Sequence, residues 1–319
     1  MLGNSMGSGN SELSVEGWVD REISFLKFPF QLGQILIRLP HKNPTSMSTS
    51  IPIEDSYTDI IGKAQRGLSI NDEALAAKSG ATVAEILILK SGELHEPLLR
   101  QVAGVLGLGF NALLALAKSS YTPAPVQEPV GLAHFNTVFE DMTVNSYLVW
   151  DPASKEAAFF DTGADGQPML DFAASHGLRV KQIFITHTHT DHILDLDRLV
   201  KATGAHAWVC EKEPLPNAES FSPGRAFQIG GLTVETRLTS GHAVGGVTFF
   251  IPGLSQPVAI VGDSMFAGSM GGGMVSYADA LRNNREQILT LPDATIICSG
   301  HGPLTTVGEQ KHANPFFTA

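Results

Sequence analysis

Three histidines and an aspartate fall within the seven residues "THTHTDH", Thr186 to His192, of a chain with eleven histidines in 319 residues. The run follows the apolar stretch "VKQIFI", which reads as a strand, so the fold must deliver these side chains where a strand leaves its sheet. On extended backbone His187 and His189 lie two apart and point the same way. Asp191 and His192 follow in a loop or a helix start. Imidazole and carboxylate are ligands that zinc, iron and manganese accept. A lone His-x-His pair is weak evidence, whereas His-x-His-x-Asp-His directly after an apolar strand is much rarer.

Three later strand ends finish the same way. "LTSGH" delivers His242, "AIVGD" delivers Asp263 and "IICSGH" delivers His301, each beside a glycine that lets backbone approach a tight site. Any one of them alone would be read as structural. Four strand ends that all finish in metal-binding residues are hard to explain as coincidence. Cys298 lies three residues before His301, but its strand reads as buried, and a small buried cysteine is a better account of it than a nucleophile. His176 and His206 read as surface or packing residues. Tyr277, after a run of glycines, is placed where it could approach a substrate.

From residue 131 onward, strand-like segments alternate with a helix between Gly166 and His176 and another over "SYADALRNNREQILTL". That order predicts a layered α/β domain. Residues 54–118 differ: they read as five short helices without a strand, with Ser69 as the cap of the second and Gly80 as its stop. The proline-rich "SSYTPAPVQEPVG" reads as a linker over 119–130. Residues 1–53 read as an extension, disordered or without a fold of its own, with Met47 opening a polar stretch that looks like a natural start.

Helices at this spacing, with Gly67, Leu68, Ser69, Leu75, Ala76, Gly80, Ile86, Gly92, Leu99, Ala103, Leu106 and Leu108, resemble the helix-turn-helix domain of the lambda-repressor and Cro type. A DNA-reading helix needs polar or basic side chains facing the bases. Here the outward positions are Val83, Ala84, Leu87 and Ile88, with Glu85 among them, and residues 54–118 hold eight acidic against six basic residues. The net charge of −11 also argues against nucleic acid as a partner. An apolar face of this kind is expected to meet a second copy or the following domain, which makes a homodimer through the helical domain an expectation. No run is long and apolar enough to span a bilayer, and two cysteines make no disulfide framework, so a cytoplasmic setting is expected.

Residues 131–319, with the full set of strand-end histidines and aspartates and "DTG" at Asp161 to Gly163, resemble the metallo-β-lactamase superfamily. The resemblance implies an α/β fold, an αββα sandwich, here preceded by the small all-α helix-turn-helix domain. It implies two divalent metal ions, zinc first, with iron or manganese as alternatives. His187, His189 and His242 would hold one ion, Asp191, His192 and His301 the other, and Asp263 would bridge them, with Asp191 also catalytic. Asp161 would support the ligand loop without being a ligand.

A bridging aspartate is unlike the antibiotic-hydrolysing members, and "GDSMFAGSMG" and "SGHGPLTTVGEQKHANPFF" look like the short glyoxalase II-like hydrolases. The resemblance thus implies a hydrolase of a small thioester or related acyl compound, with a metal-bridging hydroxide as nucleophile. Long glyoxalase II enzymes add a C-terminal helical domain that helps bind glutathione, which is not expected after Asn314-Pro315-Phe316. Where relatives carry Gly-Arg-Thr-Asp, this chain has Gly271, Gly272, Gly273 and Met274. That departure counts against a standard glutathione thioester and against the runner-up, the persulfide dioxygenases with their single iron. A DNA-binding regulator with a metallo-hydrolase sensor stands as the alternative from another class.

Overall fold

The computed structural model describes residues 51–319, which belong to one unit. The extension expected over 1–53 lies outside the described residues up to residue 50, whereas Ile53 packs against the helical core.

Five helices open the described chain: α1 (Tyr57–Leu68), α2 (Asp72–Ser79), α3 (Val83–Lys90), α4 (Glu96–Leu106) and α5 (Phe110–Ala117). Their ends are set locally. Ser56 and Asp59 form a capping box on α1, and Thr82 and Glu85 form one on α3. One expected cap moves. Ser69 closes α1 in the left-handed conformation, at φ 55°, with its N–H on the Arg66 carbonyl, and Asn71 caps α2 by accepting from the Ala74 amide. Both residue types serve as caps, and the two-residue shift lets Ile70 reach the bundle core.

Twelve strands follow among the described residues, in two six-stranded sheets. The first contains, in order, β1 (Leu132–Phe139), β2 (Met142–Trp150), β3 (Glu156–Phe160), β4 (Arg179–Phe184), β5 (His206–Cys210) and β6 (Glu219–Phe221). The second runs from β7 (Ala226–Ile229) through β8 (Leu232–Leu238), β9 (Val247–Ile251), β10 (Val258–Gly262) and β11 (Ile296–Ser299) to β12 (Thr305–Thr306). β3 to β6 pair in parallel, as do β10 and β11; the other neighbours are antiparallel. The short strands β6, β7 and β12 carry too few residues for a periodic signal and were not foreseen from the sequence.

Alternation along the strands builds the layers. Phe160, Phe184, Ile260 and Cys298 face the space between the sheets, where Phe249 and Phe227 meet them. Their neighbours Phe159 and Ile183 face the opposite side, against Met169 of α6 (Gln167–Ser175) and Leu199 of α8 (Leu196–Thr203); the single-turn α7 (Thr190–Ile193) precedes α8. Ala259 and Ile297 face Ile288 and Val307, on the π-helical turn Asn284–Ile288 that extends α9 (Tyr277–Asn283) and on α10 (Val307–Ala313). Helices therefore cover both outer faces of a two-sheet sandwich. No helix among the described residues is long and apolar enough to cross a membrane.

The helical unit does not keep its core to itself. Met270, Tyr277, Ala280 and Phe316 from the sandwich side join Ile60, Ala64, Leu99 and Leu113 in one apolar cluster. Tyr277 thereby belongs to the core, 8% exposed and against Phe316, instead of facing a substrate.

Candidate metal centre

The seven strand-end residues named from the sequence meet at one edge of the sandwich. Their potential ligand atoms form two groups, His187, His189, His242 and Asp263, and Asp191, His192 and His301, each within 4.8 Å of one another. β4 ends just before His187, α7 presents Asp191 and His192, and the exits of β8, β10 and β11 bring His242, Asp263 and His301. His187, His192, His301 and Asp263 are buried, His242 and Asp191 are partly covered, and His189 is open to solvent.

In four of the five histidines the outer ring nitrogen has an acceptor. His187 Nδ1 lies 3.0 Å from Thr186 Oγ1, which in turn donates to Asp161. His192 Nδ1 lies 2.8 Å from Asp161 Oδ2, His242 Nδ1 3.0 Å from the Gly272 carbonyl, and His301 Nδ1 2.7 Å from the Thr143 carbonyl. With the proton placed there by the network, each Nε2 turns a lone pair inward. His187 Nε2 and His242 Nε2 stand 3.1 and 3.0 Å from His189 Nδ1. His301 Nε2 is 3.2 Å from Asp191 Oδ2, and His192 Nε2 is 3.4 Å from both Asp191 Oδ2 and Asp263 Oδ1. Asp263 reaches both groups, with Oδ2 3.3 Å from His242 Nε2 and 3.5 Å from His301 Nε2.

His192 Nε2 and Asp263 Oδ1 are buried without a hydrogen-bond partner. Buried polar atoms are costly to leave unpaired, and a cation between inward lone pairs and carboxylates satisfies them. The donor set of imidazoles and carboxylates fits zinc, iron or manganese. The two groups differ in their electrostatics. Burial works against charge on His192, but Asp161 and Asp263 outweigh it and hold its pKa up to about 10. Burial likewise opposes charge on His301, yet Asp263 and Asp191 raise it to about 11. Burial disfavours the Asp263 carboxylate, but His301 and His192 outweigh that and hold its pKa well below the usual range. His187 goes the other way: burial first, then the neighbouring imidazoles, keep it neutral. The carboxylates thus draw a proton onto His192 and His301, which a bound cation would displace to free their Nε2 lone pairs, whereas His187 stays neutral.

Asp161 supports the loop from beneath, as the "DTG" motif implied. Its carboxylate accepts from the Thr186 amide at 2.7 Å, the Thr186 hydroxyl at 2.8 Å and His192 Nδ1. It does so at φ 54°, a left-handed conformation that costs a non-glycine residue roughly 1–3 kcal/mol and persists only where surrounding bonds over-determine it. Gly300 is required by close approach: a Cβ there would stand 2.1 Å from Asp263 Oδ1 and 2.7 Å from the His192 ring.

Several contributors were not foreseen. The Thr143 and Gly272 carbonyls orient His301 and His242, and Glu213 accepts from the Thr188 amide and hydroxyl at 3.1 and 3.2 Å, bracing the ligand turn. Main-chain carbonyls carry no sequence signal. Of the residues set aside, His206 is exposed beside Glu219, His176 stacks on Phe172, and burial pushes the Cys298 thiol well up, leaving it an inert core residue.

The sequence model described as the metallo-beta-lactamase superfamily matches residues 140–301, and the chain belongs to that superfamily. Among characterised relatives, hydroxyacylglutathione hydrolase GloC of Haemophilus influenzae is 29% identical over 200 residues, which cover 55% of this chain and 93% of that protein. A hydroxyacylglutathione hydrolase of a Jannaschia species is 30% identical over 159 residues, covering 49% of this chain and 61% of that protein. Among solved structures, BLEG-1 B3 metallo-beta-lactamase is similar at a TM-score of 0.53 and 26% identity, over 59% of this chain and all of that one. All three alignments leave a large part of this chain unmatched.

Proposed function

We propose that the chain is a metal-dependent hydrolase of a small thioester or related acyl compound. The observation that carries this reading is the inward set of Nε2 lone pairs, each with its outer nitrogen tied off, around the unpartnered Asp263 Oδ1. In it, His187, His189 and His242 hold one divalent ion, Asp191, His192 and His301 the second, and Asp263 serves both. Two such ions, when bound, lower the pKa of a water between them and polarise an acyl carbonyl. Asp191, partly open at the centre and 3.2 Å from His301 Nε2, is the carboxylate placed to take up a proton from the attacking water. The likeness to hydroxyacylglutathione hydrolases supports a thioester. The glycine run Gly271–Gly273 supports an acyl carrier other than glutathione, because it offers no side chain to bind that tripeptide's carboxylates.

The helical unit, read as helix-turn-helix-like, serves packing in this proposal. α3 presents Leu87 and Ile88, 52% and 47% exposed, which favours a protein over a DNA partner on that face.

Metal quantification with a panel of thioesters, lactones and persulfides tests the reading. The expected result is two zinc ions per chain and metal-dependent release of thiol. One iron per chain, with oxygen uptake on a persulfide, would replace it with sulfur oxidation at a single iron.

A further inference from the structure

Along four consecutive residues, Ser269 to Gly272, the bonds pass from Asp55, Asn314 and Lys63 at the first two to candidate metal ligands at the last two. The Ser269 hydroxyl donates to Asp55, and the Ser269 carbonyl accepts from Asn314 at 2.7 Å. The Met270 carbonyl accepts from Lys63 Nζ of α1 at 2.9 Å, and the Met270 side chain is buried in the helical core. The Gly271 amide donates to the Asp263 carbonyl at 3.0 Å. The Gly272 carbonyl then takes the outer proton of His242.

Lys63 is the centre of this clamp. Its ammonium pairs with Asp55, and both side chains are largely withdrawn from water, at 14% and 8% exposure. It also lies 5.1 Å from the centre of the Phe266 ring, which stands nearly perpendicular to the His301 ring with centres 5.7 Å apart. Directional hydrogen bonds lead to His242, whereas only a ring contact leads to His301, so the coupling is stronger to the first group.

We infer that Lys63 of the helical unit is a positioning residue for the metal centre, fixing the Met270 carbonyl and thereby the Gly272 carbonyl that orients His242. This rests on the metal-dependent reading above. The helices are then part of the centre's support, two hydrogen-bond steps from a ligand. An outer partner of this kind is worth about 10- to 100-fold in metal affinity when it touches the ligand directly. One step further out, the lower figure is the expectation.

The test is cobalt titration of the full chain, read by the visible spectrum of the bound ion, with apo-protein thermal unfolding in parallel. Lys63→Met is expected to weaken uptake by the His242 group about tenfold and to alter its spectrum, and Lys63→Arg to restore most of both. Because Lys63→Met strands a buried carboxylate and can fail to fold, the pair Lys63→Met with Asp55→Asn removes both charges together. The same weakening is expected in that pair. A folded double variant with wild-type cobalt affinity and spectrum would overturn the positioning role while leaving the metal reading intact. A wild-type chain that takes up no cobalt sinks both.

Discussion

The two rims of the candidate metal centre are supported by different parts of the molecule. The turn after β4, from Thr186 to His192, is held from within the sandwich by Asp161 and Glu213. The loop after β10, from Asp263 to Gly272, is held by Asn314 on the sandwich side and also, from outside the sandwich, by Lys63 and by a methionine sunk in the helical core. The first support is a carboxylate that bonds its ligand directly, and the second reaches its ligand through two peptide units. The contrast implies that loss of the first rim's support should disturb the metals more than loss of the second, while loss of the helical packing should register mainly as stability.

The largest effect should come where the rims meet. Asp263→Ala removes the one carboxylate shared by both groups, and turnover is expected to fall by about a thousandfold or more in a steady-state thioesterase assay. Comparable turnover in that variant would remove the two-metal reading and the comparison with it. On the first rim, Asp161→Asn should weaken metal binding by about 10- to 100-fold, measured by competition with a chromogenic chelator, and the loss should fall on the His192 group. An effect smaller than that of Lys63→Met would reverse the ranking of the two supports.

Gly67→Ala probes the helical packing alone. An added Cβ would stand 2.2 Å from the Tyr277 ring, so about 1–3 kcal/mol of unfolding free energy should be lost in urea. Unchanged stability would mean that α1 is free to shift away from α9. The smallest effect concerns Asp72, whose pKa is lowered by its hydrogen bonds from Lys90, at 2.6 Å, and Gln65. A carboxylate depressed on folding contributes stability that is present above its unfolded pKa of about 3.9 and is lost as pH falls through the folded value. Since the pair is partly exposed, the contribution is about 0.2–1 kcal/mol. Asp72→Asn should cost that much at neutral pH and progressively less as pH falls below about 4, by urea unfolding across that range.

Legibility followed how local each cause is. Strand ends carrying His242, Asp263 and His301 could be found because an apolar run followed by glycine and a ligand type is a short pattern. Phe159 and Phe160 face opposite sides of their strand, one outward and one inward, as the two-residue period of extended backbone requires. The cap of α2 was misplaced by two residues because Ser69 and Asn71 are both good caps and only the packing of Ile70 decides between them. The position of Tyr277 after the glycines leaves open an approach to substrate, and the notch at Gly67, over two hundred residues away, draws it into the core.

The sequence by itself determined the layered α/β class, the five helices ahead of it and the identities of the residues that gather at the centre, because periodicity, caps and ligand types act within a few residues of one another. Tertiary structure alone decided which carbonyl ties off each histidine, and that the helices share a core with the sandwich and hold its glycine-rich loop. Those contacts join residues as far apart as Lys63 and Met270, and no local propensity encodes a bond across that separation.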